Sequence, residues 1–215
     1  RKRGINKSVA SIITQVVVNK NDKGFKNPTK PIGPFYSKEE AETIKEQKGY
    51  AMIEDAGRGY RRVVASPIPE RIVELDTIKT LVNAGQVIIT AGGGGVPVIE
   101  NEDKSLTGVA AVIDKDLASE KLAEDLDADT LMILTAVDKV AINFGKPNQK
   151  NLSKMSIEEA EKYMEEGQFA PGSMLPKVKA AVKFAKSKSG RKCLIASLNK
   201  ANQALTGESG TIIMQ

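Results

Sequence analysis

The sequence contains no histidine among its 215 residues. A Ser-His or Cys-His nucleophile pair and a histidine-ligated zinc site are therefore excluded. Any chemistry must rely on Lys, Arg, Asp, Glu and backbone dipoles. Phosphoryl transfer suits these groups best, because its loose transition state needs positioning and charge neutralisation more than a tuned base.

Cysteine, aromatic residues and long apolar runs are also scarce. Cys193 has no second cysteine for a disulfide and lies in a strand-like run, which indicates a buried thiol and a reducing compartment. Aromatic residues make up 4% and the lysines are dispersed, so the net charge of +5 does not indicate nucleic-acid binding. No apolar run approaches the ~20 residues that span a bilayer, and no signal peptide is visible. We expect a globular protein with small-molecule substrates and neither nucleic-acid nor membrane partners.

What the sequence does contain is a β-branched, strand-like run at residues 86–91 that ends in four consecutive glycines, Gly92, Gly93, Gly94 and Gly95. Backbone without Cβ atoms lets amide N–H groups converge on an anion. Neither a P-loop motif nor a Gly-x-Gly-x-x-Gly motif is present, which argues against those two phosphate sites. The four glycines are a candidate anion loop of another kind.

An Asp-Lys-Asp triplet precedes a predicted helix over residues 117–126. Lys115 there faces the positive end of the helix dipole, a mismatch of about 0.3–1 kcal/mol at an exposed site. Asp114 and Asp116 flank it, and either could cap the helix. The triplet is a solvated turn or, if an anionic ligand lies at the helix mouth, part of a binding site.

Two further lysines stand where the backbone restricts them. Lys177 follows a proline in the first turns of a predicted helix, Met174–Ser187, and is a second cation near a helix N-terminus. Lys30 lies between Pro28 and Pro31, where a stiff backbone would aim its side chain. A solvated loop lysine is an equally good interpretation of Lys30.

Apolar runs alternate with amphipathic segments along most of the chain. Residues 129–135 and 191–198 are almost continuously apolar, as parallel strands buried on both faces should be, and residues 8–18 predict a further strand. Residues 72–83 predict an amphipathic helix. This alternation predicts an α/β fold, a three-layer α/β/α sandwich with a mainly parallel sheet.

One region interrupts this alternation. Residues 19–69 are polar and begin with a stretch, residues 19–36, whose prolines exclude a regular helix or a central strand. Such a long interruption is often functional. We expect residues 1–18 and 70–215 to form a core and residues 19–69 to form a small protruding lobe over the substrate site.

Five long segments stand out: KNPTKPIGPF (26–35), EDAGRGYRRVV (54–64), AGGGGVPVI (91–99), GVAAVIDKDLASEKLAEDLDADTLMILTAVD (108–138) and FAPGSMLPKVKAA (169–181). They resemble carbamate kinases, which belong to the amino acid kinase superfamily. The likeness covers essentially the whole chain in order. The family's first strand and its Gly-Gly-Asn-Ala loop have no counterpart, so we expect the chain to lack the family's N-terminal third.

The resemblance implies a phosphotransferase that interconverts ATP plus carbamate with ADP plus carbamoyl phosphate. It further implies Mg²⁺ bound with the nucleotide, no separate protein metal site, a homodimer, a cytoplasmic location and a role in arginine metabolism. Two alternatives stay open. One is another acid-group kinase of the superfamily, acting on acetylglutamate or UMP, and the other is a truncated, non-catalytic nucleotide-binding module.

The resemblance also assigns roles to individual residues. Lys30 would reach from the lobe toward the carbamoyl phosphate, while Lys115 and Lys177 would neutralise the phosphoryl group during transfer. Asp116 would orient these lysines or the Mg²⁺-nucleotide. The nucleotide would be held by Ala136, Val137, Asp138, Phe144 and Met174.

Overall fold

The computed structural model describes residue 2, residues 4–55 and residues 57–215. The chain forms two compact units, Arg1–Ala118 and Ser119–Gln215, which we call unit 1 and unit 2 and describe separately. Each unit combines strands with helices. The α/β class predicted from the sequence is therefore confirmed.

The strands of unit 1 form several small sheets. One has the order β6-β2-β8-β9, another the order β3-β5-β4, and β1 pairs with β7. Long connections give the parallel pairs β1–β7 and β2–β8, whereas the β8–β9 hairpin and the lobe strands pair antiparallel. The strands are β1 (Val9–Ser11), β2 (Gln15–Val18), β3 (Lys30–Tyr36), β4 (Met52–Glu54), β5 (Tyr60–Val64), β6 (Pro69–Ile72), β7 (Val87–Ile89), β8 (Val96–Glu100) and β9 (Leu106–Gly108).

The prediction of a single strand over residues 8–18 was wrong, because the chain changes sheet within it. The β1 segment pairs with β7, whereas β2 lies between β6 and β8. Between β1 and β2, the buried hydroxyl of Thr14 donates to the Ile12 carbonyl (3.0 Å) and accepts from the Ala91 amide (2.8 Å). These hydrogen bonds hold the chain where it passes from one sheet to the other.

The helices of unit 1 are α1 (Lys23–Lys26), α2 (Lys38–Lys48), α3 (Leu75–Asn83) and the start of α4 (Lys115–Asp125), which continues into unit 2. The α2 helix begins with a capping box, in which the side chains of Ser37 and Glu40 bond each other's backbone amides. The α3 helix starts later than predicted, because residues 69–72 pair with β2.

The predicted lobe region contains the antiparallel sheet β3-β5-β4 and helix α2. Its proline-rich strand β3 lies at the sheet edge, where a residue without an amide hydrogen is tolerated. The prediction that residues 19–36 contain no regular helix was wrong over α1, a single helical turn capped by the Asp22 carboxylate. The boundaries of the lobe, residues 19 and 69, stay a prediction.

Unit 2 is built around one four-stranded sheet with the order β10-β14-β15-β13. The β10–β14 and β13–β15 pairs are parallel, β14–β15 is antiparallel, and β11 and β12 form a separate antiparallel pair. The strands are β10 (Thr130–Thr135), β11 (Val140–Ile142), β12 (Lys150–Leu152), β13 (Lys154–Ser156), β14 (Lys192–Ser197) and β15 (Thr211–Met214).

Helices cover the sheet of unit 2. They are α5 (Ile157–Glu165), α6 (Met174–Ser187) and α7 (Ala201–Leu205), with a 3₁₀ turn at Leu198–Lys200. The α6 helix packs on β14 and β15, α7 packs on β14, and α5 packs on α6. Five successive residues of β14, from Cys193 to Ser197, are buried, so both faces of this strand are covered. The buried thiol expected at Cys193 is confirmed.

Candidate active site

In unit 1 the candidate residues gather at the start of α4. Asp114 directly precedes this helix, and its Oδ1 atom accepts a hydrogen bond from the Asp116 amide at 2.9 Å. The Leu117 amide also donates to the Asp114 carboxylate. The sequence left the cap open between Asp114 and Asp116, and the structure assigns it to Asp114.

The side chain of Lys30 reaches this cap from β3. Its Nζ atom lies 2.6 Å from Oδ2 of Asp114, and the two side chains are 28% and 10% exposed. Lys30 is therefore not a solvated loop lysine: its ammonium group is fixed at the first turn of α4. The carboxylate of Asp114 thus holds the lysine with Oδ2 and the Asp116 amide with Oδ1.

Asp114 is held in its ionised form. Burial by itself would raise the pKa of this carboxyl group, but the hydrogen bond and charge of Lys30, together with the two helix amides, lower the pKa below its ordinary value. A charged Asp114 balances Lys30 and satisfies the helix start at the same time.

The glycine loop packs directly against this cap. A Cβ atom on Gly94 would lie 2.2 Å from the carbonyl oxygen of Ile113, the residue before Asp114, and Gly94 has φ +135°. Only glycine fits such a close approach. The amides of Gly92 and Gly94 donate to Thr90 and Ala91 carbonyls, both at 2.7 Å. Two of the four glycine amides thus close the turn itself.

The remaining glycines and the other triplet residues are placed as follows. Gly92 and Gly93 are exposed and Gly95 is half-buried. Lys115 is the first residue of α4 and is exposed. Asp116 is buried within the same turn. The anion-binding role of the loop stays a prediction.

In unit 2 the segment predicted to hold a nucleotide, Ala136 to Asp138, leaves the end of β10. Thr135 of β10 is in parallel register with Ser197 of β14, so the segments that follow both strands leave the same sheet edge. An ion pair between Asp138 and Lys200 joins these segments. Ligands in α/β proteins bind at this carboxyl edge of parallel strands.

The other predicted residues of unit 2 lie at α6 and after β11. Met174 is the first residue of α6, and Lys177 lies in its first turn; both side chains are half-buried. Phe144 is 68% exposed in the turn after β11. Ser173 occupies the N-cap position of α6, but its side chain makes no capping hydrogen bond.

Two contacts in these sites had no sequence signal. Lys30 and Asp114 are 84 positions apart, and Asp138 and Lys200 are 62 positions apart. An aspartate before a helix does predict a cap, so Asp114 could be found as a capping residue but not as the partner of Lys30.

Neither unit contains a ready-made metal site among the residues described. No three Asp, Glu, His or Cys side chains in residue 2, residues 4–55 or residues 57–215 lie close enough together to hold an ion. Nor is any helix in that part of the chain long and apolar enough to cross a bilayer.

Comparison with known proteins identifies the fold. Residues 6–197 match the model of the amino acid kinase family. The carbamate kinase of Clostridium perfringens is 64% identical over 214 residues, which are 100% of this chain and 68% of the relative. The carbamate kinase of Thermococcus kodakarensis is 54% identical over 215 residues, again 68% of its length.

A solved structure agrees with these relatives. The carbamate kinase of Giardia lamblia bound to AMP-PNP is 42% identical and superimposes with a TM-score of 0.85, covering 99% of this chain and 67% of that one. The segments that resemble carbamate kinases therefore belong to a match over the whole chain. This chain is a member of the amino acid kinase family and, within it, of the carbamate kinases.

Proposed function

We propose that the protein is a carbamate kinase, which reversibly transfers a phosphoryl group between ATP plus carbamate and ADP plus carbamoyl phosphate. The observation that carries this proposal is the 64% identity to a carbamate kinase over 214 residues. The match covers the whole chain and therefore includes all the segments that contain the candidate lysines. The absence of histidine agrees with a reaction that requires no imidazole base.

Phosphoryl transfer from carbamoyl phosphate to ADP requires no proton donor. A terminal oxygen of the ADP β-phosphate attacks the phosphorus of carbamoyl phosphate, a new P–O bond forms, and the bond to the carbamate oxygen breaks. Carbamate leaves as an anion and ATP remains. Negative charge spreads over the transferred group in between, so positioned cations are the main source of rate enhancement.

We assign three cations to this charge. Lys30 would bind the carbamoyl phosphate, and Lys115 and Lys177 would neutralise the moving phosphoryl group. The 2.6 Å contact of Lys30 with Asp114 supports its part, because a fixed ammonium group costs less to organise than a solvated one. The exposure of Lys115 at the first residue of α4 leaves its side chain accessible to substrate.

The nucleotide would bind to unit 2, beside the segments that follow β10 and β14. Ala136, Val137 and Asp138 lie there, and the proposal adds Phe144 and Met174. The exposed aromatic ring of Phe144 is suited to an adenine base. The binding of AMP-PNP by the Giardia lamblia relative supports ATP and ADP as the ligands.

We propose Mg²⁺ as the ion that accompanies the nucleotide. Mg²⁺ is usually held by substrate phosphates, water and one or two carboxylates, so a site of this kind needs no cluster of protein ligands. The buried carboxylate of Asp116, in the first turn of α4, fits that donor set. When bound, the ion supplies additional charge neutralisation. Asp116 would orient it or the neighbouring lysines.

The setting of the reaction is part of the same proposal. By family resemblance we propose a homodimer that acts in the cytoplasm in arginine metabolism. The single buried cysteine agrees with a reducing compartment.

A coupled assay tests the proposal. The native full-length protein, with ADP, carbamoyl phosphate and Mg²⁺, should form ATP, detected through hexokinase and glucose-6-phosphate dehydrogenase. Acetylglutamate and UMP, offered with ATP, should give no turnover. Lys177→Ala protein prepared in parallel controls for contaminating kinases. Failure to form ATP from carbamoyl phosphate would contradict the assignment. Turnover of acetylglutamate or UMP instead would assign the protein to that kinase type.

A further inference from the structure

A fully buried carboxylate connects α4 to α6 within unit 2. The side chain of Glu120, on α4, has no exposed surface, and its Oε2 atom lies 2.7 Å from Nζ of Lys183, on α6. Lys183 is 44% exposed and also lies 4.0 Å from a carboxylate oxygen of Glu124. The proposed mechanism uses neither Glu120 nor Lys183.

This pair is a poor source of stability. Burial raises the pKa of Glu120 above its ordinary value even though Lys183 beside it acts in the opposite direction. Among the described residues, its second oxygen, Oε1, has no hydrogen-bond partner. Well-packed apolar residues in place of a buried ion pair are often equally or more stable. Some other property of the pair should therefore account for a glutamate at this position.

The position of the pair along both helices suggests that property. Glu120 follows Lys115 by five residues on α4, about 7.5 Å along the axis at 1.5 Å per residue. Lys183 follows Lys177 by six residues on α6, about 9 Å along that axis. A directional bond of this kind resists sliding of one helix along the other, which apolar contacts resist less.

We propose that Glu120 and Lys183 are a positioning pair, whose 2.7 Å contact fixes the axial register of α6 against α4 within unit 2 and thereby the place of Lys177. The inference rests on the proposed function, because it takes Lys177 as a group that acts on the phosphoryl group. Glu120 and Lys183 themselves touch no substrate.

The test replaces the pair by apolar residues in the full-length enzyme, as Glu120→Met/Lys183→Met. We expect kcat for ATP formation to fall about tenfold, since small misplacements of catalytic groups are costly. The midpoint of thermal unfolding should be equal or higher, and KM for ADP should change less than threefold. The matched control is Glu161→Met/Lys186→Met, which removes the exposed ion pair between α5 and α6. It should leave kcat unchanged.

A second variant keeps the inference testable if the double variant does not fold. Glu120→Gln retains an oxygen that can accept from Lys183 and should keep more of the wild-type kcat than Glu120→Met. The inference is overturned if the Glu120→Met/Lys183→Met enzyme has the wild-type kcat. It is also overturned if the kcat of this variant falls only in proportion to the fraction of protein that is folded. An inactive wild-type enzyme would instead contradict the proposed function and this inference with it.

Discussion

The helix that carries Lys115 and the helix that carries Lys177 begin in different ways. The start of α4 is closely built: Asp114 caps it, Lys30 binds the cap, and Gly94 packs against the preceding carbonyl. The start of α6 is more open. Ser173 makes no side-chain cap, and a Cβ atom on Gly172 would meet nothing within 4 Å.

At both helix starts, however, some of the backbone amides that could bind an anion are not available. At α4 the amides of Asp116 and Leu117 already donate to the Asp114 carboxylate. At α6 the Leu175 amide donates to the Ala170 carbonyl at 3.1 Å, and Pro176 has no amide hydrogen. Much of the attraction that a helix start offers an anion is thus already used. The lysine side chains must then contribute most of the favourable charge.

The largest effects should come from removing those side chains. Lys115→Ala and Lys177→Ala should each lower kcat by about 10²–10³-fold, as the loss of one transition-state contact does. Lys179→Ala, which removes an exposed lysine of α6, is the control, and its kcat should be near the wild-type value. Turnover at the wild-type rate in both variants, with the fold intact, would remove the site assignment.

Lys115→Ala should separate activity from stability. Its exposed ammonium group faces the positive end of α4, so its removal should leave the free energy of unfolding unchanged or raise it by about 0.3–1 kcal/mol. Urea denaturation followed by circular dichroism measures this difference. A marked loss of stability would show that Lys115 has a structural role.

The next largest effect concerns the packing before each helix. Gly94→Ala would place a methyl group 2.2 Å from the Ile113 carbonyl oxygen at φ +135°, so it should lower the free energy of unfolding by more than about 3 kcal/mol. Gly172→Ala has open space and should cost less than about 0.5 kcal/mol. Similar unfolding midpoints for the two variants would contradict the described difference between α4 and α6.

Removing the N-cap side chain should likewise destabilise the protein more at α4 than at α6. Asp114→Ala removes the cap and leaves Lys30 without its carboxylate, and should cost about 2–3 kcal/mol of unfolding free energy. Ser173→Ala removes no capping hydrogen bond and should cost less than about 0.5 kcal/mol. Equal losses, measured by the same denaturant titration, would mean that Ser173 caps α6 in solution.

The smallest effect is a pH dependence. Because folding lowers the pKa of Asp114 from its ordinary value of 3.8, its ionised form stabilises the fold above that value, and this contribution is lost as the pH falls through the folded-state pKa. Asp114→Asn keeps a capping oxygen but no charge. It should be about 1 kcal/mol less stable than wild type at pH 7, and the difference should shrink below about pH 4. A difference independent of pH would exclude a charge effect.

Much of the fold could be read from the sequence because its signals are local. The capping boxes at Ser37 and Ser156 are both present, and the apolar run before residue 136 is a parallel strand. The sequence signals did not predict the boundaries of strands that are set by pairing with a segment distant in sequence. Residues 69–72 became a strand because β2 lies beside them, and residues 8–18 divided because two sheets compete for them.

The sequence by itself determined the family, the lack of histidine in these 215 residues and the lysines at two helix starts. Only the tertiary structure decided that Asp114 rather than Asp116 caps α4, that Lys30 binds this cap from 84 positions away, and that Glu120 is buried against Lys183. The physical reason is the sequence separation over which each kind of interaction acts. Helical periodicity and capping act over a few residues, whereas an ion pair between distant segments exists only after packing has brought them together.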